Sequence, residues 1–262
     1  ASKSGSGDYA LASTYYWPGA SYKMKFFAYA PKDNGQYVLS GSTHPGSPTI
    51  GVTIPSDVND QEDLLVAQTA ELAGNTNTAV ALTFNHALTA VRFVCGNDMQ
   101  DGTVKSVSLK NVYSKGTYNM GTQTWSDVDT PADFSQTLDK STTGTPNEAL
   151  TTDAQTFMMI PQTLPDGAQI EVVFTDYAGT DHTLTADIKG TEWPIGKTVT
   201  YKISSSSINW KYTIKINMPN EFTYTGGTLQ YSVVLYKENG LGEKQSVPWT
   251  AEFSEDDGVS WK

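Results

Sequence analysis

Apolar residues recur at every second position through much of this chain. Ile208, Trp210, Tyr212, Ile214, Ile216 and Met218 alternate with Asn209, Lys211, Thr213, Lys215 and Asn217. A period of two places one set on one face of a strand, whereas a helix would scatter the same residues around its circumference. The pattern returns at Leu229, Tyr231, Val233 and Leu235, at Val199, Tyr201 and Ile203, at Ile170, Val172 and Phe174, and at Val80, Leu82 and Phe84. Lys25 to Tyr29 and Val107 to Val112 are less regular strand candidates. Turn signals separate these runs: Asp33-Asn34-Gly35, Pro165-Asp166-Gly167, Ala178-Gly179-Thr180, Gly226-Gly227 and Glu238-Asn239-Gly240. Such spacing predicts antiparallel hairpins in an all-β sandwich.

Two stretches break the pattern. Residues 39–60 carry Pro45, Pro48 and Pro55 among glycines, and residues 127–155 are rich in Thr and acidic residues. A structureless connection of that length is unusual inside a compact domain. The second stretch is read as a surface insertion or as containing a short element that the pattern does not reveal. Gln61 to Gly74 fits a helix face through Leu64, Leu65, Gln68 and Leu72, and fits a short strand at Asp63 to Ala67 equally well. The run Ser204 to Ser207, between two strong strand patterns, is the best boundary. It divides the chain into a domain at 1–204 and the start of a second at 205–262, which is short for a complete sandwich.

Composition narrows the function. The net charge is −11, and Arg92 is the only arginine. That excludes a nucleic-acid surface, which needs clustered Lys and Arg, and makes a site built on Arg forks for phosphate or carboxylate unexpected. Cys95, the only cysteine, alternates with Val91 and Phe93 and reads as a buried small hydrophobe. No run approaches the roughly 20 apolar residues of a membrane-spanning helix.

Candidate chemistry is sparse. His44 lies in a Pro/Gly loop, His86 follows Phe84 and reads as a structural, hydrogen-bonded histidine, and His182 beside a turn reads as solvated. No paired-His, CxxC or GxSxG pattern occurs. Asp127, Asp129 and Asp133 have the spacing that opens a calcium loop, but Ala132 stands at the glycine position and Leu138 at the closing acidic one. Glu255-Asp256-Asp257-Gly258 reads as a solvated turn. No enzyme activity, cofactor or metal is expected. The aromatic group Tyr15, Tyr16, Trp17 and Tyr22 reads first as edge or core packing. Exposed rings there could instead stack on sugars.

Four segments in order carry a family resemblance. They are Phe84-Asn85-His86-Ala87-Leu88-Thr89-Ala90-Val91-Arg92-Phe93, Gly116-Thr117-Tyr118-Asn119 followed by Trp125, Met159-Ile160-Pro161-Gln162-Thr163-Leu164, and Trp193-Pro194-Ile195-Gly196-Lys197 leading into Thr198 to Ile203. Phe26 to Pro31 and Asp63 to Ala67 precede them. Over residues 17 to 204 the chain resembles the fimbrillin-like proteins of Bacteroidales surfaces. Its tail resembles their second domain through Val247 to Ala251 and Ser254 to Trp261. The resemblance implies two transthyretin-like or immunoglobulin-like β-sandwiches in tandem, the second incomplete at Lys262, and a strand at Asp63 to Ala67.

The implied function is a non-enzymatic fimbrial subunit or adhesin at the cell surface, on the outer membrane or in the fimbrium. Its expected partners are other fimbrial subunits and surface glycans or proteins, with any lipid anchor on an N-terminal segment removed before Ala1. Assembly in such proteins resembles strand exchange after a protease cuts behind a basic residue. Arg92 sits inside a core strand and is a poor cut site, and Lys23 and Lys25 lie in a strand-like run. The alternative is a surface glycan-binding protein, with Trp17 and Trp125 as the first ring candidates.

Overall fold

The computed structural model describes residues 2–3, 9–32, 35–206, 211–217, 232–239 and 242–248. Strands of three residues or more run in the order β1 (Phe27–Ala30), β2 (Tyr37–Leu39), β3 (Thr49–Thr53), β4 (Leu65–Gln68), β5 (Thr89–Cys95), β6 (Gly102–Asn119), β7 (Thr124–Thr142), β8 (Phe157–Met159), β9 (Gln169–Asp176), β10 (Asp181–Asp187), β11 (Thr198–Ile203), β12 (Lys211–Asn217), β13 (Ser232–Glu238) and β14 (Lys244–Ser246). The helical content of the described residues is two short 3-10 turns, Val58–Asp60 and Asp153–Gln155. The chain is an all-β sandwich protein.

The larger sheet has the order β10-β9-β6-β3-β2, with β7 along the other side of β6. β6 changes partners midway: Gly102 to Lys110 pair with β9, and Lys115 to Asn119 pair with β3. Facing it, β5 lies between β8 and β11, and β4 lies between β1 and the short strand Asn85–His86. β5 and β11 run parallel. Between the layers lies one core. β5 supplies Val91, Phe93 and Cys95, β6 supplies Val104, Val107 and Leu109, and β9 supplies Ile170, Val172 and Phe174. Phe93 meets Phe157 edge-on and stacks on Tyr201, each with centroids 5.9 Å apart. Burying each such ring stabilises the fold by about 1.5–3 kcal/mol. β12, β13 and β14 form a separate three-stranded sheet.

Most alternating runs became strands. Ile170, Val172 and Phe174 all point inward, and the ambiguous segment after Gln61 is strand β4, paired with β1. Three expectations are corrected. Val80 and Leu82 are half-buried as their alternation implies, but the segment pairs with no described strand, and pairing starts only at Asn85. Residues 39–60 hold strand β3 rather than an irregular loop. Residues 127–155 are no insertion: Thr124–Thr142 is one strand of 19 residues. Its period is broken by register shifts against β6, and Asp127, Thr130 and Asp139 have positive φ. Bulges of this kind bend a long hairpin and hide its alternation.

The pattern at 208–218 is partly described, as β12, and that at 229–235 partly as β13. Asn34, Gly226, Gly227, Gly240, Trp249 to Ala251, and Ser254 to Trp261 lie outside the described residues.

Candidate functional site

The four quoted segments form one junction. The chain crosses from one sheet to another at Ala87 and Leu88, both buried. The backbone N–H of Ala87 donates to Leu64 O at 2.8 Å, and its carbonyl accepts from the Trp125 indole Nε1 at 3.0 Å. Trp125 sits opposite Tyr118 in the β6–β7 hairpin, with ring centroids 5.4 Å apart. Gly116 makes room for it: a Cβ there would stand 3.1 Å from the indole ring. Asn119 closes the hairpin turn by accepting from the N–H groups of Gly121 and Thr122.

The Trp193 segment grips the same place. Gly196 donates to Leu88 O at 2.9 Å, the Thr89 hydroxyl donates to Pro194 O at 2.8 Å, and Ala90 N donates to Lys197 O at 3.0 Å. Gly196 has φ +65°, and a Cβ would come within 2.9 Å of His86 O. Only glycine fits without strain. The Trp193 ring is buried, and its Nε1 donates to the Tyr201 hydroxyl at 2.9 Å. Burial pushes the Tyr201 phenol up, although the bond from Trp193 works the other way.

Gln162 joins the remaining segment to the large sheet. Along β6, β9 stops at Lys110 and β3 starts at Lys115. The Gln162 amide fills that gap: Tyr113 N donates to its Oε1 at 2.9 Å, and its Nε2 donates to Tyr113 O and Ile160 O at 3.0 Å each. This role was not read from the sequence. A lone glutamine between Pro161 and Leu164 was its only signal.

The junction presents β11 as a sheet edge. Ala90 N to Lys197 O and Gly96 N to Ile203 O fix the parallel ladder. Lys197, Val199, Tyr201 and Ile203 therefore turn their backbone groups to β5. Thr198, Thr200 and Lys202 turn theirs outward, where β11 has no described partner strand. Their side chains are exposed, while Val199 and Tyr201 pack on the core. Arg92 Nε donates to Thr200 Oγ1 at 3.0 Å across the exposed face. The long outer edge of β7 differs. It carries Pro131, positive-φ residues and several aspartates, and is bridged at Ser135 by Asp57. These features block strand addition.

The remaining candidates fall elsewhere. Trp17 is half-buried, edge-on to Phe26 at 5.8 Å, on a segment where Tyr15 and Tyr16 are 74% and 88% exposed. Trp17 and Trp125 belong to different structures: the first to that segment, the second to the junction. Cys95 is buried beside the Thr142 hydroxyl at 3.1 Å, and burial pushes its thiol up. His86 is hydrogen-bonded, to Asp63, but lies exposed. His182 is not solvated: it is 2% exposed and contacts Asp176 at 3.0 Å.

Asp133 accepts from Asn111 N and pairs with Lys110, which hold its carboxyl below the usual range against burial. Asp127 and Asp129 bond their neighbours Ser126 and Thr130. Among the described residues no group of three or more His, Cys, Asp or Glu is placed to hold a metal ion, and no helix is long and apolar enough to cross a membrane.

The chain is similar to several solved structures. One is a fimbrial protein from Bacteroides vulgatus ATCC 8482, at 18% identity over 82% of this chain and 76% of that one, with a TM-score of 0.42. Another is a candidate cell adhesion protein from Bacteroides thetaiotaomicron VPI-5482, at 14% identity over 72% and 67% of the two chains, TM-score 0.41. A third is a candidate cell adhesion protein from Bacteroides uniformis ATCC 8492, at 18% identity over 83% and 73%, TM-score 0.40. No curated protein matches. The family model described as fimbrillin-like matches residues 1–227, and the chain therefore belongs to the fimbrillin-like family.

Proposed function

We propose that this chain is a non-enzymatic fimbrial subunit or adhesin of the cell surface, exported to the outer membrane, that joins neighbouring subunits by strand addition at β11. In this reading the first sandwich spans 1–204 and a second unit starts at 205. The observation that carries it is the outer edge of β11: regular, without proline or bulge, with Thr198, Thr200 and Lys202 offering backbone donors and acceptors. An added strand gains its affinity from such groups and its register from alternate side chains. The partners are other fimbrial subunits, of the same or related chains. Intact mass and light scattering before and after limited trypsin treatment test the reading. Discrete ladders after a cut near the N-terminus support strand exchange, and a stable monomer under both conditions argues against it.

The exposed rings of Tyr15 and Tyr16 beside Trp17 favour a second reading, a surface glycan-binding protein. Trp125 is the weaker candidate, since its indole N–H is already bonded to Ala87. Retention on a polysaccharide affinity gel, lost in Trp17→Ala, would support that reading. Equal mobility with and without polysaccharide would end it.

A further inference from the structure

The fold contains a buried histidine between two carboxylates from distant parts of the chain. His182, on β10, has a side chain with no solvent exposure. Its Nε2 lies 3.0 Å from Asp176 Oδ2, at the end of β9. Its Nδ1 lies 3.3 Å from Glu243 Oε2, in the turn between β13 and β14. That contact joins the first sandwich to the separate three-stranded sheet. The contact is an ion-pair approach and not a hydrogen bond: Nδ1 is a buried polar atom without a hydrogen-bond partner.

The two carboxylates are anchored unequally. Asp176 also accepts from the N–H groups of Ala178 and Thr180, both at 2.9 Å. Burial opposes its ionisation, but the bonds from His182, Thr180 and Ala178 outweigh this and hold its carboxyl below the usual range. Glu243 accepts from Asn239 Nδ2 at 2.6 Å, and its own N–H donates to Asn239 Oδ1.

On its own sheet His182 faces an apolar partner. Its cross-strand neighbour is Phe174, and the strand beyond presents Gly102 opposite Asp176. Nearby charges are already engaged: Asp181 accepts from the Thr175 hydroxyl, and Lys244 pairs with Glu238 at 3.6 Å.

We propose that His182 is a pH-operated latch between the first sandwich and the β12–β14 sheet. The imidazolium donates to Asp176 and holds its second N–H and its charge beside the Glu243 carboxylate, which closes the latch. A neutral imidazole has one proton, which the better-anchored Asp176 keeps at Nε2. The Nδ1 lone pair then faces the Glu243 carboxylate, and the turn at Asn239 to Glu243 loses its hold. The latch is closed while the imidazole carries two protons and loosens when it carries one.

Hydrogen exchange of the full chain tests this, corrected for intrinsic exchange and followed across the titration range. Imidazole NMR signals of the three histidines are followed in parallel. The expected result is a fall in protection of residues 232–248, by up to about tenfold per pH unit, the limit for one coupled proton. That fall should track the loss of the second His182 ring proton in the imidazole spectrum. Glu243→Gln, a change at a partly exposed site, should abolish the fall and leave β5 and β9 protection unchanged. Protection that is independent of pH in the native chain, or the same pH dependence in Glu243→Gln, would overturn the proposal.

Discussion

Replacing Gln162 with Met keeps the side chain's length and removes its amide. In the native chain that amide satisfies both backbone groups of Tyr113 at the gap between β9 and β3. Pro131 stands opposite Tyr113 in β7 and has no N–H to offer. In Gln162→Met the Tyr113 N–H and C=O lose their partners. A buried group left unpaired costs about 1–3 kcal/mol. Tyr113 is half-buried, so water reaches part of the site and the lower half of that range applies. The two groups together predict a loss of about 2–4 kcal/mol. In a protein of this size each kcal/mol is worth about 2–4 °C in Tm, so melting should fall by about 4–16 °C. Urea unfolding followed by tryptophan fluorescence should show a lower midpoint with an unchanged slope. A loss under about 0.5 kcal/mol, the scale of a neutral surface change, would refute the bridging role of Gln162.

Other expectations follow from the same junction. Gly196→Ala should destabilise by more than 1 kcal/mol, as about 1–3 kcal/mol attends a strained backbone. A melting temperature equal to the native one would contradict the positive-φ argument. Trp125→Phe keeps most of the ring and leaves Ala87 O unpaired, for a loss of about 1 kcal/mol in denaturant melts; no change would mean that the indole bond contributes nothing. Cys95 should resist thiol reagents in the folded protein and react at once in urea, and fast native labelling would place it outside the core. Hydrogen bonds from Thr142 and Lys140 hold the Glu148 carboxyl below the usual range against burial. A depressed folded pKa stabilises above the unfolded carboxylate value of about 4.3 and is lost as pH falls through the folded value. Glu148→Gln should remove that part of the acid dependence, and identical acid profiles would show that the pair contributes nothing.

Much of the sandwich built by β1 to β11 was legible because its strands are regular and half-buried. Val91, Phe93 and Cys95, or Ile170, Val172 and Phe174, need only a period of two to be placed. β7 was not legible because its register shifts near Asp127 and Asp139 interrupt that period, and its Asp, Thr and Pro residues are those of turns. Val80 and Leu82 erred the other way: their alternation predicts half-burial, which occurs, but a ladder needs a partner that local sequence does not specify. The solvated reading of His182 failed for a similar reason. His182 lies beside a turn, but its burial depends on Glu243, far along the chain. The four segments identified the family before any role could be given to them. Their function as a junction lies in cross-contacts such as Trp125 to Ala87 and Gly196 to Leu88.

The central claim is that β11 is the edge where another chain adds. Thr200→Pro tests it most directly. The Thr200 N–H points away from β5, so proline there spares the internal ladder and removes an outward donor. Thr137→Pro, on the outer strand β7, serves as the control. Light scattering after limited trypsin treatment should show discrete ladders for the native chain and for Thr137→Pro, and monomer for folded Thr200→Pro. Equal ladders in Thr200→Pro, or loss of assembly only in Thr137→Pro, would contradict the assignment of β11 as the assembly edge.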